Sequence, residues 1–400
     1  SGDELVMALT HIDIVPFGTG WSRNPYGEIY NDKVFGRGAQ DNKGPTIACL
    51  YALKAIKDSG LPLSRRIRHV VGGNEESGFR CVRHYFQVEE RPDYGFSPDA
   101  CFPLVYAEKG SMNVRVAAAI RPGTFSLLEV SGGERANIVP EKARGVLAVP
   151  EGQEAAVVDR LRSYIPRVEK KVGGPGPLSF DFSVVPGMIN IECKGKACHA
   201  SVPWEGTNAV AAVLHLVSSL GEELGSRESI KFAAEAAGIY GQGLNIECED
   251  GISGKLSCNL GVCQTSEVDG NKMLTGIYNI RYPVKISGEQ LKARALSCET
   301  PESGEARVEV LSLSKSHYSD PDSFLVKTLL QVYREETGDN SPPIAIGGGT
   351  YARVIPGGVA YGPERPGAQD TVHQANEFIS IDDLLLIVKI YARAIYELAR

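Results

Sequence analysis

The first hundred residues alternate two patterns that cannot share a backbone conformation, and this alternation sets the fold class. "VMALTHIDIVP" and "RRIRHVVGG" are runs read as buried strands, while "GPTIACLYALKAIKDSG" and "GFRCVRHYFQVE" read as helices. "YGFSPDA" ends a further short strand and "LVYAEKGSMNVRV" begins another. Strand–helix–strand alternation argues for a parallel or mixed α/β sheet. In the first helix the apolar face is expected at Ile47, Leu50, Tyr51 and Leu53, with Gly60 as the stop signal.

From about residue 111 the texture changes. Alternating strands such as "MNVRVAAAI" and "ARGVLAVP" surround helices such as "EAAVVDRLRSYI" and "TNAVAAVLHLVSSLGEEL", which reads as α+β material. From residue 316 the α/β pattern returns, with the helix "DSFLVKTLLQVYREETG", the strand "PIAIGGG" and a terminal helix "IDDLLLIVKIYARAIYELA". The simplest organisation is one α/β domain, 1–110 joined to 316–400, interrupted by an insertion at 111–315. No short repeat or low-complexity tract occurs.

Composition narrows the partners. A net charge of −7 over 400 residues gives no electrostatic reason to expect nucleic acid or an anionic membrane. No apolar run reaches the roughly 18 residues of a membrane span, and no signal peptide is read. The nine cysteines are scattered, with no C-x-x-C pair, so a reducing, cytoplasmic setting is expected and most of them read as buried apolar filler.

Several short stretches carry candidate chemistry. "THIDIVP" puts His11 and Asp13 two apart on a strand, which places both side chains on the same face. The same spacing also describes a buried histidine satisfied by a neighbouring aspartate. "FGRGAQDNKGP" places Asp41 in a glycine-rich turn before a helix, where it could be a cap or a ligand. "GGNEESG" supplies adjacent carboxylates, Glu75 and Glu76, which alone would read as a solvated turn. "FSPDA" puts Asp99 after a strand, and "DTVHQANE" puts His373 in a loop before the last helix.

Together these give two histidines and at least three carboxylates, all at predicted strand ends, where open α/β sheets gather their ligand sites. Mixed histidine and carboxylate ligation suits zinc, with manganese or cobalt as substitutes. The set exceeds what one four-coordinate ion needs, so two divalent ions are expected.

The ordered motifs "HIDIVP", "GRGAQDNKGP", "NEESG", "SPDACFPLVYAEKG", "GKACHASVPWEGTNA", "GGGTYAR" and "HQANE" span residues 11 to 377. In that order the set resembles the superfamily of dinuclear metallopeptidases that contains aminoacylase, acetylornithine deacetylase and the PepV-type dipeptidases. "SPDACFPLVYAEKG" and "GGGTYAR" are similar to the dipeptidase branch. The resemblance implies a mixed-sheet, three-layer α/β catalytic domain with a large inserted α+β lid. The insertion has room for two α+β subdomains, and a monomer is expected.

The same resemblance implies residue roles. His11 and Asp99 would hold one metal, Glu76 and His373 the other, with Asp41 bridging and Asp13 orienting His11. Glu75 would be the general base. His199 and Asn137 would stabilise an oxyanion. Arg281 and the loop Gly347, Gly348, Gly349 and Thr350 would hold the terminal carboxylate of a small peptide substrate. The fork of an arginine and the amides of successive glycines suit that carboxylate.

Three positions depart from the family pattern: Cys198 for alanine, Cys101 for an acidic residue, and Asn42 for a second aspartate. The family also carries a helix and a strand ahead of its first ligand strand, and the expectation is that this chain lacks them. A dipeptidase is the expected function. An N-acyl amino acid deacylase, or an inactive metal- or peptide-binding fragment, stands as the alternative.

Overall fold

The computed structural model describes residues 2–400. The chain divides into two compact units, residues 1–108 with 317–400, and residues 109–316.

The first unit is built on a seven-stranded mixed sheet. Leu5–His11 runs parallel to Arg66–Gly72 on one side and to Tyr94–Ser97 on the other. Val359–Ala360 joins Tyr94–Ser97 in parallel, and Val105–Glu108 adds in the opposite sense. His317–Tyr318 and Ile344–Ile346 both pair with Val105–Glu108.

Alternation along Leu5–His11 makes three layers, as the sequence implies. Val6 and Ala8 pack among helices Lys43–Ser59, Phe324–Thr337 and Ile381–Ala399. Leu5, Met7 and Leu9 point the other way, to helix Arg80–Val88 and the turn Tyr351–Val354. Every residue of this strand is buried, which explains its continuous apolar run.

The first helix differs from its sequence reading. Its buried face is Ala48, Cys49, Ala52 and Ile56, with Leu53 partly buried. Ile47, Leu50 and Tyr51 are 48%, 54% and 58% exposed. Small residues on the inner face let this helix lie close to Ile381–Ala399, and close approach outranks side-chain size in choosing the buried face. Gly60 ends the helix as expected, at φ 63°.

The second unit carries one antiparallel eight-stranded sheet. Its order is Ser179–Val185, Met188–Lys194, Lys142–Ala148, Ser126–Gly132, Ser257–Val268, Asn271–Tyr282, Gly110–Ala119 and Arg307–Ser314. Two four-stranded halves meet at Ser126–Gly132 and Ser257–Val268 through the pairs Cys263↔Gly132 and Gln264↔Ser131. The sequence suggests two subdomains here; the halves instead share that seam and one buried cluster, which includes helices Glu154–Val172, Ala209–Ser218, Arg227–Ala236 and Gly288–Leu296. Among the described residues no helix is long and apolar enough to cross a membrane.

Candidate metal centre

The site forms where the parallel strands of the first unit end. Leu5–His11 stops at His11, opposite Gly72, the last residue of its partner. Asp13 therefore lies beyond the strand, and the period-two argument that put it on the face of His11 does not apply. Its carboxylate caps the next turn instead: Oδ1 accepts the Glu75 N–H at 3.0 Å and Oδ2 the Glu76 N–H at 3.1 Å. His11 Nδ1 lies 3.0 Å from the Asp13 carbonyl oxygen and 3.5 Å from Oδ1, so the closer hold on the ring is main-chain. An imidazole donating from Nδ1 leaves Nε2 for a ligand.

Two clusters of ligand atoms share Asp41. His11, Asp41 and Asp99 place one ligand atom each within 4.8 Å of one another, and so do Asp41, Glu76 and His373. His11 Nε2 is 2.9 Å from Asp41 Oδ1 and 3.3 Å from Asp99 Oδ1. His373 Nε2 is 2.9 Å from Asp41 Oδ2 and 3.2 Å from Glu76 Oε1. Asp41 thus turns one oxygen to each histidine. All five sequence-predicted ligands come together: His11 at the end of its strand, Glu76 and Asp99 in the segments that follow Arg66–Gly72 and Tyr94–Ser97, His373 in the loop before Phe378–Ser380, and Asp41 in the glycine-rich turn before Lys43–Ser59.

The electrostatics call for positive charge. Burial opposes a charge on His11, yet its bonds to Asp41 and Asp99 outweigh that and push its pKa up to about 12. Bonds to Asp41 and Glu76 raise His373 to about 10 against its burial. Burial, with Asp41 and Glu76 adding, lifts Asp99 to about 7 despite His11. Burial and then Asp99 raise Glu75 to about 10, with Glu76 and Asp41 contributing and His11 opposing. For Asp41 burial is overcome by the two histidines, which hold it well below the carboxylate range. Protons on the imidazoles offset crowded carboxylates here, and divalent cations would do the same more fully. Donor type, shared carboxylate and charge all fit a pair of divalent ions.

Several supporting roles escape the sequence reading. Asn42 lies beside the ligands: its amide donates to Asp99 Oδ1 at 3.1 Å and to the Pro98 carbonyl, and its Oδ1 accepts from the His11 N–H at 3.4 Å. An aspartate there would set a carboxylate against Asp99 where the amide offers a donor. Tyr351 sets its ring edge-on to His11, centroids 6.0 Å apart, and its hydroxyl accepts from the Asn74 N–H at 3.4 Å. A Cβ on Gly72 would lie 2.4 Å from that hydroxyl, so glycine is needed for the close approach.

The Gly347–Thr350 loop is only partly what the sequence suggests. Thr350 is buried, and it donates from its N–H at 3.2 Å and its hydroxyl at 2.8 Å to the fully buried Glu108 carboxylate. Its donors are committed internally, which removes it as a direct contact for a substrate carboxylate. Glu108 also pairs with Arg353, which donates to the Gly348 carbonyl at 2.7 Å. Gly349 lies against that guanidinium, with room for no side chain.

In the second unit, Asn137 and His199 lie on adjoining segments. The Ala200 N–H donates to the Asn137 carbonyl at 2.9 Å, and Ile138 bridges His199. Asn259 holds the Asn137 segment by donating to the carbonyls of Ala136 and Ile138, at 3.1 and 2.9 Å. The Ser201 N–H donates to His199 Nδ1 at 3.2 Å, so a neutral ring carries its proton on Nε2. Arg281 Nε donates to Asn279 Oδ1 at 3.0 Å on strand Asn271–Tyr282. Burial raises the Cys198 thiol to about 11, which makes it a poor nucleophile.

The chain is similar to known proteins over nearly its whole length. Residues 7–397 match the family model described as Peptidase family M20/M25/M40. The chain is 38% identical over 408 residues to "Putative dipeptidase YtjP" of Bacillus subtilis (strain 168), covering all of this chain and 84% of that one. It is 32% identical to a "Putative dipeptidase" of Staphylococcus epidermidis, covering 99% of this chain and 83% of the relative. An M20 family metallo-carboxypeptidase from Sulfolobus solfataricus shares the fold, with a TM-score of 0.56, 15% identity, and 100% and 86% coverage.

Proposed function

The chain belongs to peptidase family M20/M25/M40, and from that premise we propose a dipeptidase that uses two divalent ions to hydrolyse dipeptides with a free C-terminal carboxylate. The observation that carries this reading is Asp41, with one oxygen turned to each of two histidine–carboxylate groups, and Glu75 within electrostatic reach of Asp99, His11, Glu76 and Asp41. His11, Asp41 and Asp99 would hold one ion, and Asp41, Glu76 and His373 the other. Zinc suits these donors best, with manganese or cobalt able to replace it.

When bound, the ions supply Lewis acidity and lower the pKa of the attacking water. Glu75 takes the proton of that water and later delivers it to the leaving amine. The Asp13 carboxylate holds the turn that aims Glu75 and Glu76 in different directions. His199 Nε2 and Asn137 are assigned to the oxyanion, a role worth roughly 3 kcal/mol per donor in oxyanion holes of known hydrolases. Arg281 and the amides of Gly347, Gly348 and Gly349 are assigned to the substrate carboxylate, with Thr350 fixing their loop from inside.

The test is a panel of dipeptides, C-terminally amidated dipeptides and N-acetyl amino acids, each with zinc, manganese or cobalt. Cleavage is expected for dipeptides with both termini free, and poor for the amides. Preference for N-acetyl substrates would turn the assignment to a deacylase. We also propose that the chain acts as a monomer; a dimer mass by sedimentation equilibrium at assay concentration would overturn that part.

A further inference from the structure

Beneath the ligand loops lies an ion pair that no metal ligand accounts for. The side chains of Arg37 and Glu377 are 2% and 0% exposed, and Arg37 Nη1 lies 2.8 Å from Glu377 Oε2. Burial of such a pair carries a large desolvation penalty, so it is weak evidence for stability by itself. Its other bonds show where it acts.

Glu377 grips the turn that carries Asp41. Oε2 accepts the Gly38 N–H at 3.1 Å, and Oε1 accepts the N–H groups of Gln40 at 3.0 Å and of Asp41 itself at 3.1 Å. Arg37 grips the loop that carries His373. It donates to the carbonyls of Gln374 at 3.0 Å and of His373 itself at 3.4 Å, and to that of Phe17 at 3.0 Å. His373 sits at φ 61°, a left-handed backbone that a non-glycine residue adopts only when its surroundings hold it there. The two halves of one ion pair therefore hold the backbones of two ligands, Asp41 and His373, that meet in the second ligand group.

We propose that Arg37 and Glu377 are positioning residues of the metal centre, which set the spacing of Asp41 and His373 and through it the affinity for the ion held by Asp41, Glu76 and His373. The pair touches neither substrate nor ion. It makes the loops rigid before loading, so that the ion does not have to order them. His11 and Asp99 are fixed by other bonds, so the first site depends on the pair only through Asp41. This inference rests on the two-ion reading above.

The experiment is a zinc titration of the full metal-free chain against a chromophoric chelator, for wild type, Glu377→Gln and Arg37→Lys. Circular dichroism and thermal melts of the same metal-free samples report folding. The glutamine offers one carbonyl oxygen where the carboxylate offers two, and lysine loses the planar fork that reaches three carbonyls. Wild type is expected to bind two ions. Both variants are expected to keep one tight site and lose roughly 10- to 100-fold at the other, the scale of outer-shell changes at metal sites. Folded variants that bind two ions with wild-type affinities would overturn the inference, even with lower melting temperatures, because that is the result of a purely structural pair. If Glu377→Gln does not fold, Arg37→Lys decides on the same criterion. A wild type that binds fewer than two ions would instead defeat the two-ion reading.

Discussion

Glu75 and Glu76 are neighbours on the chain with different surroundings, and each should fail differently when changed. Glu76 reaches His373 at 3.2 Å, in a ligand group, while Glu75 is half-buried, and desolvation first and Asp99 next raise its pKa to about 10 in the metal-free site. Glu75→Gln is expected to keep both ions and bind dipeptide, yet lose roughly 100-fold or more in turnover, the scale of general-base catalysis. Glu76→Ala is expected to lose one ion, with partial rescue by excess metal. Metal analysis beside steady-state kinetics separates the two, and the reverse pattern would exchange their roles. Glu108 is a second residue-scale case. Glu108→Gln leaves Arg353 without its counterion and loosens Thr350. Arg353 keeps some solvent, so the loss in a denaturant melt should fall near the low end of the roughly 3–5 kcal/mol typical of broken buried pairs. KM for dipeptides should rise more than kcat falls, because the loop assigned to the substrate carboxylate is what loses its anchor.

At the scale of elements, close packing of small residues decides how the helices of the first unit meet. Ala52, fully buried, faces that contact, whereas Leu50 on the same helix is 54% exposed. Ala52→Leu should overfill it and destabilise the unit by about 1–3 kcal/mol. Leu50→Ala should change stability far less, and equal effects in urea melts would contradict the observed buried face. The second unit has a helix with a built-in acid sensitivity. His215, on Ala209–Ser218, is buried with a pKa lowered to about 4 from 6.5, chiefly by that burial and then by Lys171. The unfolded chain takes up this proton more readily than the folded one. The stability His215 permits is therefore complete above pH 6.5 and is lost as pH falls toward 4. Replacing it with leucine should remove on the order of 1–2 kcal/mol of the loss between pH 7 and 5, read as the change in urea-melt stability of the two proteins at each pH.

For the whole molecule, the division into two units predicts how metal and stability are linked. All five candidate ligands belong to the unit formed by residues 1–108 and 317–400. Ions bound there are expected to stabilise that unit and to leave the other's own unfolding unchanged. At 100 times its dissociation constant, each ion should add about 2.7 kcal/mol. Calorimetry is expected to show two transitions, of which zinc raises one and a chelator lowers the same one. A uniform shift of the whole endotherm would show that the units unfold together.

The sequence by itself determined the fold class and the insertion, because these rest on signals local to the chain: periodicity of two or 3.6 and a change of texture near residue 111; the five candidate ligands were singled out by the order of the motifs and the family resemblance they carry. It did not determine which face of the first helix is buried. Hydrophobic pattern favoured Ile47, Leu50 and Tyr51, and the neighbouring helix selected the small residues. Nor did it reveal that Asp13 caps the Glu75 turn, that Thr350 turns inward to Glu108, or that Arg37 and Glu377 clasp two ligand loops. Those facts depend on bonds between residues up to hundreds of positions apart, such as Arg37 and Glu377. Such partners have no common local pattern, and only the packed tertiary structure brings their donors and acceptors within hydrogen-bonding reach.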